Sequence, residues 1–311
     1  MYKIEVIGMR EKRNRIILFI SILLIICILI FLGIYLKSIY DKTIEVSKTE
    51  KNETTELNSS SITNTIDEAK ENNEENQKTE VISEENNKNE ENSNKFIDSV
   101  ENIYNGTDGK RVFLTFDDGP TEEVTPHILD ILDKYNIKAT FFVLGNRVKA
   151  NPEIVKRAYE EGHYIANHGY SHKYKNIYKS EDYVLDEYNK TEEAIREAIG
   201  DQNYSSNLFR FPGGSHGGPY EKIKKKSRKK LKENGIAYLD WSALTYDAEG
   251  ADSKEEILNN LKTTMNGWDN VVILMHDAAD KEITYETLED VIKYLQKKGY
   301  KFENIYDLME E

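Results

Sequence analysis

The sequence predicts an α/β protein built on a parallel sheet, and two observations predict it. Strand-like and helix-like runs alternate seven times between residue 110 and the C-terminus. Such alternation joins each strand to a parallel neighbour through a helical crossover. Unusual polar residues also recur where the apolar runs stop, the edge on which parallel α/β folds assemble their sites. The alternation is compatible with an open, doubly wound sheet and with a closed barrel.

The elements follow in order. "RVFLTF" (111–116) is β-branched and aromatic and reads as the first strand. Thr125 and Pro126 then look like the N-cap and first residue of a helix over "HILDILDKY". "KATFFVLG" (138–145) is a second strand, and Asn151-Pro152 opens a helix that Gly162 closes. "HYIAN" (163–167) is a third strand, followed by a long amphipathic helix from Ser180 to Ile199, ended by Gly200. "LFRF" (208–211) precedes a helix over 220–234, and "IAYLDW" (236–241) precedes one with the capping box Ser253 to Glu256. "NVVILM" (270–275), a helix over 285–298 and a short "YKF" complete the series.

The residues before this domain differ in character. Ile16 to Leu36 is an uncharged apolar run of 21 residues, long enough for one bilayer-spanning helix. Lys3, Arg10, Lys12, Arg13 and Arg15 precede it, which puts residues 1–15 in the cytoplasm and the rest outside. A cleaved signal peptide is the competing reading, but "YLKSIYDK" offers no Ala-x-Ala site. Residues 37–100 are expected to be a disordered acidic linker. Lys37 to Lys95 has no Gly, Pro or Cys and carries 15 acidic against 8 basic residues, too little apolar surface to offset the entropy of ordering. As a flexible coil its roughly 59 residues would reach about 45 Å. The working domain is therefore expected at 101–311, on the outer face of a plasma membrane.

Composition excludes several functions. The net charge of -14 argues against nucleic acid as a partner. No GxGxxG follows the first strand, so a dinucleotide site is not indicated. The single cysteine, Cys27, lies in the apolar run, so the exported part has neither disulfide nor thiolate metal site.

Five strand ends carry chemistry: Asp117-Asp118 in "TFDDGP", His168 and His172 in "NHGYSH", Arg210 in "RFPGG", Asp240-Trp241 in "LDW", and His276 in "ILMHD". If 168–172 forms a helical turn, its spacing of four puts both imidazoles on one face, ready to grip a divalent metal. With one carboxylate they make a set that leaves positions open for water and substrate. The cation would offset the repulsion between the adjacent Asp residues, leaving the other free to take protons. Arg210 could orient that base, His276 could protonate a leaving group, and the "PGG" N–H groups could face an oxyanion.

In order and spacing, these motifs together with "ATFFVLG" resemble those of the NodB-type polysaccharide deacetylases (carbohydrate esterase family 4). The resemblance covers about residues 110–303. It implies an irregular (β/α)7-type barrel, a zinc or related ion (cobalt, nickel or manganese), and removal of N-acetyl or sometimes O-acetyl groups from peptidoglycan or a related glycan. Position by position it implies Asp117 as base, Asp118, His168 and His172 as metal ligands, and Arg210 as orienter of the base. It likewise implies Gly213 as oxyanion donor, His276 as general acid, and Leu274 with Trp241 at the substrate. The pattern departs at Leu244, where many members carry the Asp that tunes the general acid. Asp240 or Asp247 is expected to replace it, with Asp240 preferred. Gly169 also stands where a hydroxyl residue is usual. The topology makes peptidoglycan N-acetylglucosamine the first expected substrate, with an O-acetyl esterase or a non-catalytic glycan binder as rivals. The run "KKKSRKK" (224–230) reads as a solvated helix face, His127 and His163 as structural or surface residues, and His216 as a possible substrate contact.

Overall fold

The computed structural model describes residues 91–106 and 109–309. Strands form at the Val-, Ile-, Phe- and Thr-rich runs: β1 (Arg111–Asp117), β2 (Thr140–Val143), β3 (Tyr164–Asn167), β4 (Leu208–Phe209), β5 (Ala237–Tyr238), β6 (Ala243–Leu244), β7 (Asn270–His276) and β8 (Lys301–Glu303). They make one parallel sheet in the order β5-β4-β3-β2-β1-β7-β6. β1 is paired twice on one side, with β8 along Arg111–Phe113 and with β2 along Thr115–Asp117. Among the described residues no pairing joins β5 to β6. The α/β prediction therefore holds as a curled half-barrel rather than a closed barrel.

Helices cover the sheet: α1 (91–101), α2 (Thr125–Tyr135), α3 (Gly145–Ala150), α4 (Pro152–Glu160), α5 (Tyr174–Ile177), α6 (Glu181–Ile199), α7 (Glu221–Glu233), α8 (Lys254–Met265) and α9 (Glu282–Lys297), with a 3-10 turn over Ile305–Met309. Ser180 caps α6 by accepting from the Tyr183 N–H, and Ser253 caps α8 by accepting from Glu256 at 3.3 Å. Thr125 is not the cap of α2. The helix starts one residue earlier, after Val124, and the Thr125 hydroxyl serves elsewhere, accepting from the Thr121 N–H at 2.8 Å and donating to Asp277 at 2.7 Å.

The period-two alternation of a strand positions the site. On β1, Val112, Leu114 and Phe116 enter the core between the sheet and its helices, whereas Phe113 faces the inside of the curl. The inner row of β1 thus runs Phe113, Thr115, Asp117, apolar at the floor and charged at the rim. Val271, Ile273 and Met275 of β7 likewise pack outward and Val272 inward, so Leu274 and His276 continue the inner row. Tyr164 and Ala166 lead inward to His168, and Leu208 leads inward to Arg210.

The floor corrects the expected linker boundary. Phe96, Ile97 and Val100 of α1, with Ile103, are buried against Phe113, Phe142, Leu208 and Val272, and Ile305 and Leu308 join the same cluster. Their spacing is that of one apolar helical stripe, which the polar composition around it hid. Residues 91–100 therefore belong to the folded domain. The rest of the expected linker, the cytoplasmic tail and the span at 16–36 lie outside the described residues, among which no helix is long and apolar enough to cross a membrane. Truncating Phe96 to Ala is expected to cost on the order of 3 kcal/mol of unfolding free energy. Chemical denaturation checks it, and a loss below about 1 kcal/mol would show that α1 is not part of the cooperative unit.

Candidate active site

Asp117 ends β1 and is 2% exposed. Its Oδ1 accepts from Arg210 Nη1 at 2.8 Å. Arg210 is wholly buried, and its guanidinium also donates to the Thr115 hydroxyl at 2.7 Å, the Leu239 carbonyl at 3.0 Å and the Asp240 carbonyl at 3.1 Å. The Phe142 ring lies 3.9 Å beneath it. Burial pushes the Asp117 carboxyl above the usual range, while the charges of Arg210 and His276 oppose the shift. A carboxylate moved toward neutrality and held ionised by a fixed cation has the properties of a general base.

Asp118 turns away with φ 77°. Its Oδ1 lies 3.6 Å from His168 Nε2 and 3.5 Å from His172 Nε2. That oxygen is buried and accepts no hydrogen bond among the described residues. The His168 Nδ1 lies 2.8 Å from the Arg210 carbonyl, so it carries the proton and leaves Nε2 as a bare lone pair. Burial drives the His168 pKa down to about 3, keeping the ring neutral. These separations approach the roughly 3.4 Å edge of a tetrahedron with metal–ligand bonds of ~2.0–2.1 Å. An orphaned carboxylate oxygen facing two imidazole nitrogens, all within 4.8 Å, fits a divalent ion.

The two histidines do not meet through a helical turn. Residues 168–172 form an irregular loop with Gly169 at φ 84° and His172 at φ 54°. Glu187 of α6 holds that loop, one carboxylate oxygen accepting from the Tyr170 and Ser171 N–H groups at 2.8 Å each. A side chain at residue 169 would be strained at this φ, and its Cβ would press on Ile177 at 3.0 Å, which accounts for glycine there. Glu187 was not visible as a site residue, since on sequence it is one acid among several on a helix.

His276 is 12% exposed at its side chain, and its Nδ1 lies 3.0 Å from Asp247 Oδ1. Asp247 also accepts from the His276 N–H at 2.6 Å and the Thr284 hydroxyl at 2.8 Å. The preference for Asp240 is thus corrected. Asp240 accepts from the Ser215 N–H at 2.9 Å and the Ser215 hydroxyl at 2.7 Å, tying down the loop after Gly213. The irregular stretch after β6, where Tyr246 adopts φ 59°, brings Asp247 to β7. No helix or strand period could have reported that path. Burial alone would lower the His276 pKa, but the Asp247 bond and charge, with Asp117 and Asp118, raise it to about 9. Gly213 has φ 71°, and among the described residues its N–H donates to no acceptor. Trp241 is half-buried near Arg210, 5.8 Å from its guanidinium carbon, and Leu274 is buried on the inner row. Asp277, next to His276, was also missed. It is buried, donates its N–H to the Asp117 carbonyl at 3.0 Å, and would be overlapped by any Cβ at Gly119.

Fold and site define an α/β half-barrel whose C-terminal rim joins a triad that could hold a metal ion to a buried set of titratable groups. A polysaccharide deacetylase family model matches residues 104–239. Peptidoglycan-N-acetylglucosamine deacetylase of Bacillus cereus is 33% identical over 205 residues, covering 64% of this chain and 88% of the relative. Peptidoglycan-N-acetylglucosamine deacetylase PgdA of Listeria monocytogenes is 32% identical over 212 residues, 68% of this chain but 41% of the relative's length. A CE4 esterase structure from Streptococcus mutans superposes with a TM-score of 0.61 at 31% identity, covering 67% of this chain and 90% of that one. The chain belongs to the NodB-type polysaccharide deacetylases, carbohydrate esterase family 4.

An NMR titration of His276 tests the assignment of its partner. Asp247→Asn is expected to drop its pKa from about 9 to 6.5 or below, and Asp240→Asn to leave it near 9. Because the folded His276 value lies above the ordinary 6.5 and that of Asp247 below the ordinary 3.8, the pair stabilises the domain fully between those two ordinary values, fades as pH rises through about 9, and is lost in acid as Asp247 is protonated.

Proposed function

We propose that this chain is a metal-dependent hydrolase that removes N-acetyl groups from a cell-wall glycan, with N-acetylglucosamine of peptidoglycan as the first substrate. The observation that carries the reading is the meeting of Asp118, His168 and His172 beside the Asp117–Arg210 and His276–Asp247 pairs. The named activities of the Bacillus cereus and Listeria relatives support the substrate.

The triad would hold one divalent ion, zinc first and cobalt, nickel or manganese as alternatives, which when bound polarises the acetamide carbonyl and acidifies water. Asp117 takes the proton of the attacking water, and Arg210 keeps that carboxylate aimed and ionised. Negative charge growing on the carbonyl oxygen meets the unshared Gly213 N–H. His276, held charged by Asp247, gives its proton to the departing amine as acetate leaves. Leu274 and Trp241 flank the acetyl group. An anchor at 16–36 and a tether reaching to about residue 90 would keep this domain on the outer face of the plasma membrane, next to its substrate.

The test strips the full-length protein with a chelator and restores zinc or cobalt. Acetate release is then measured from purified peptidoglycan and from chitooligosaccharides. Release is expected only with metal, and Asp117→Asn is expected to lower it by about 10²–10⁴-fold. No acetate from either glycan, with a folded and metal-loaded protein, would reject amide hydrolysis and direct the assay to O-acetyl esters.

A further inference from the structure

Apart from Gly213, one part of this rim takes no role above. Beside the triad, Tyr174, Tyr178, Tyr220, Pro212, Gly213 and Lys224 wall a cavity of about 150 Å³. The Tyr174 ring lies 5.4 Å from that of His172 and 5.9 Å from that of Tyr178, which lies 5.2 Å from that of Tyr220. An aromatic wall therefore runs from a candidate metal ligand into the cavity. Rigid flat faces with a few polar groups suit a sugar ring.

Beside the exposed His216, the cavity holds one buried charged group, Lys224, only 5% exposed. Its ammonium donates to the Gly213 carbonyl at 3.2 Å and lies 5.2 Å from the centre of the Tyr178 ring. An ammonium has three N–H donors, and among the described residues this is its one hydrogen bond. The acidic groups nearby are engaged elsewhere. Glu221 accepts from Arg228 and from the Gly217 N–H, and Asp240 accepts from Ser215. Burial and Arg228 both press the Lys224 pKa down, against Asp240 and Glu221. The helix that carries it, "EKIKKKSRKKLKE", is strongly basic in a chain of net charge -14.

We propose that this cavity is a subsite for an acidic pyranose, a ring bearing a carboxylate, on the strand next to the N-acetylated sugar. The proposal rests on the glycan reading above. The ring face lies against Tyr174 and Tyr220, and the carboxylate meets the Lys224 ammonium. A muramic acid lactyl group on a peptide-free strand and a uronic acid ring both carry this chemistry.

The full-length, zinc-loaded Asp117→Asn protein is titrated calorimetrically with four tetrasaccharides. They are a peptide-free N-acetylglucosamine–muramic acid strand, the same strand with its carboxyl reduced to an alcohol, an N-acetylglucosamine–glucuronic acid strand, and chitotetraose. An acidic strand is expected to bind about tenfold tighter than the reduced strand or chitotetraose, and the acidic strand that does so identifies the source. Lys224→Met is expected to bring the ratio close to one, and Lys224→Arg to keep most of it. Equal affinity for the acidic and reduced strands overturns the proposal without recourse to any Lys224 variant. Binding is read without turnover, so the two readings fail separately. A preference in a chain that releases no acetate leaves the subsite and removes the hydrolase, and acetate release without preference does the reverse.

Discussion

A guanidinium shut away from water at the head of β4 organises the whole rim. A buried cation must find an anion and an acceptor for nearly every donor or cost several kcal/mol. Arg210 meets that demand by drawing on three segments at once, Thr115 and Asp117 of β1, the carbonyls of Leu239 and Asp240 after β5, and Phe142 of β2 beneath its plane, while its own carbonyl holds His168. Each of these must stand within hydrogen-bond or stacking distance, so satisfying one charge fixes the spacing between the candidate base and a candidate metal ligand. The lateral curl of the sheet brings β1 and β4, separated by two strands, to a common centre.

Around that centre the same residue type is driven in opposite directions. His168 and His276 are both imidazoles at strand ends, both largely buried. Burial alone makes a histidine neutral, and His168, whose ring proton goes to a backbone carbonyl, obeys it. His276 faces a buried carboxylate instead and stays charged into alkaline conditions. One is thereby a lone-pair donor and the other a proton donor, without any difference in side-chain chemistry. The distinction is created by Asp247, which itself accepts from the His276 backbone N–H and the Thr284 hydroxyl and is held low by those bonds despite its burial.

How much was legible in the sequence follows from what kind of order each residue obeys. Asp117, His168, Arg210 and His276 sit at the ends of apolar strands, and a period of two carries them all to the inner face, so their convergence could be read from pattern. The helix cap at Ser253 is equally local and was equally visible. Asp247 and Glu187 act across 29 and 16 residues of chain, through irregular backbone, and nothing periodic points from them to their partners. Asp240, the preferred partner of His276, is directed instead to the Ser215 loop. β6, only Ala243–Leu244, is too short to stand out from its surroundings. The apolar stripe of α1 is a further case: Phe96, Ile97 and Val100, three residues with helical spacing, were outvoted by the acidic, Asn-rich run they terminate.

That stripe has a consequence for how the chain acquires its structure. The floor of the half-barrel is closed by Phe96, Ile97, Val100 and Ile103 from the first segment of the domain and by Ile305 and Leu308 from its last. A ribosome delivers the first set some two hundred residues before the second. Until the C-terminal turn emerges, the inner ends of β1 and β7 have only half of their cover, and β8 cannot take its place beside Arg111. The apolar floor is then a transiently exposed surface of the sort that recruits chaperones. Closure of the floor therefore waits for the last segment of the domain.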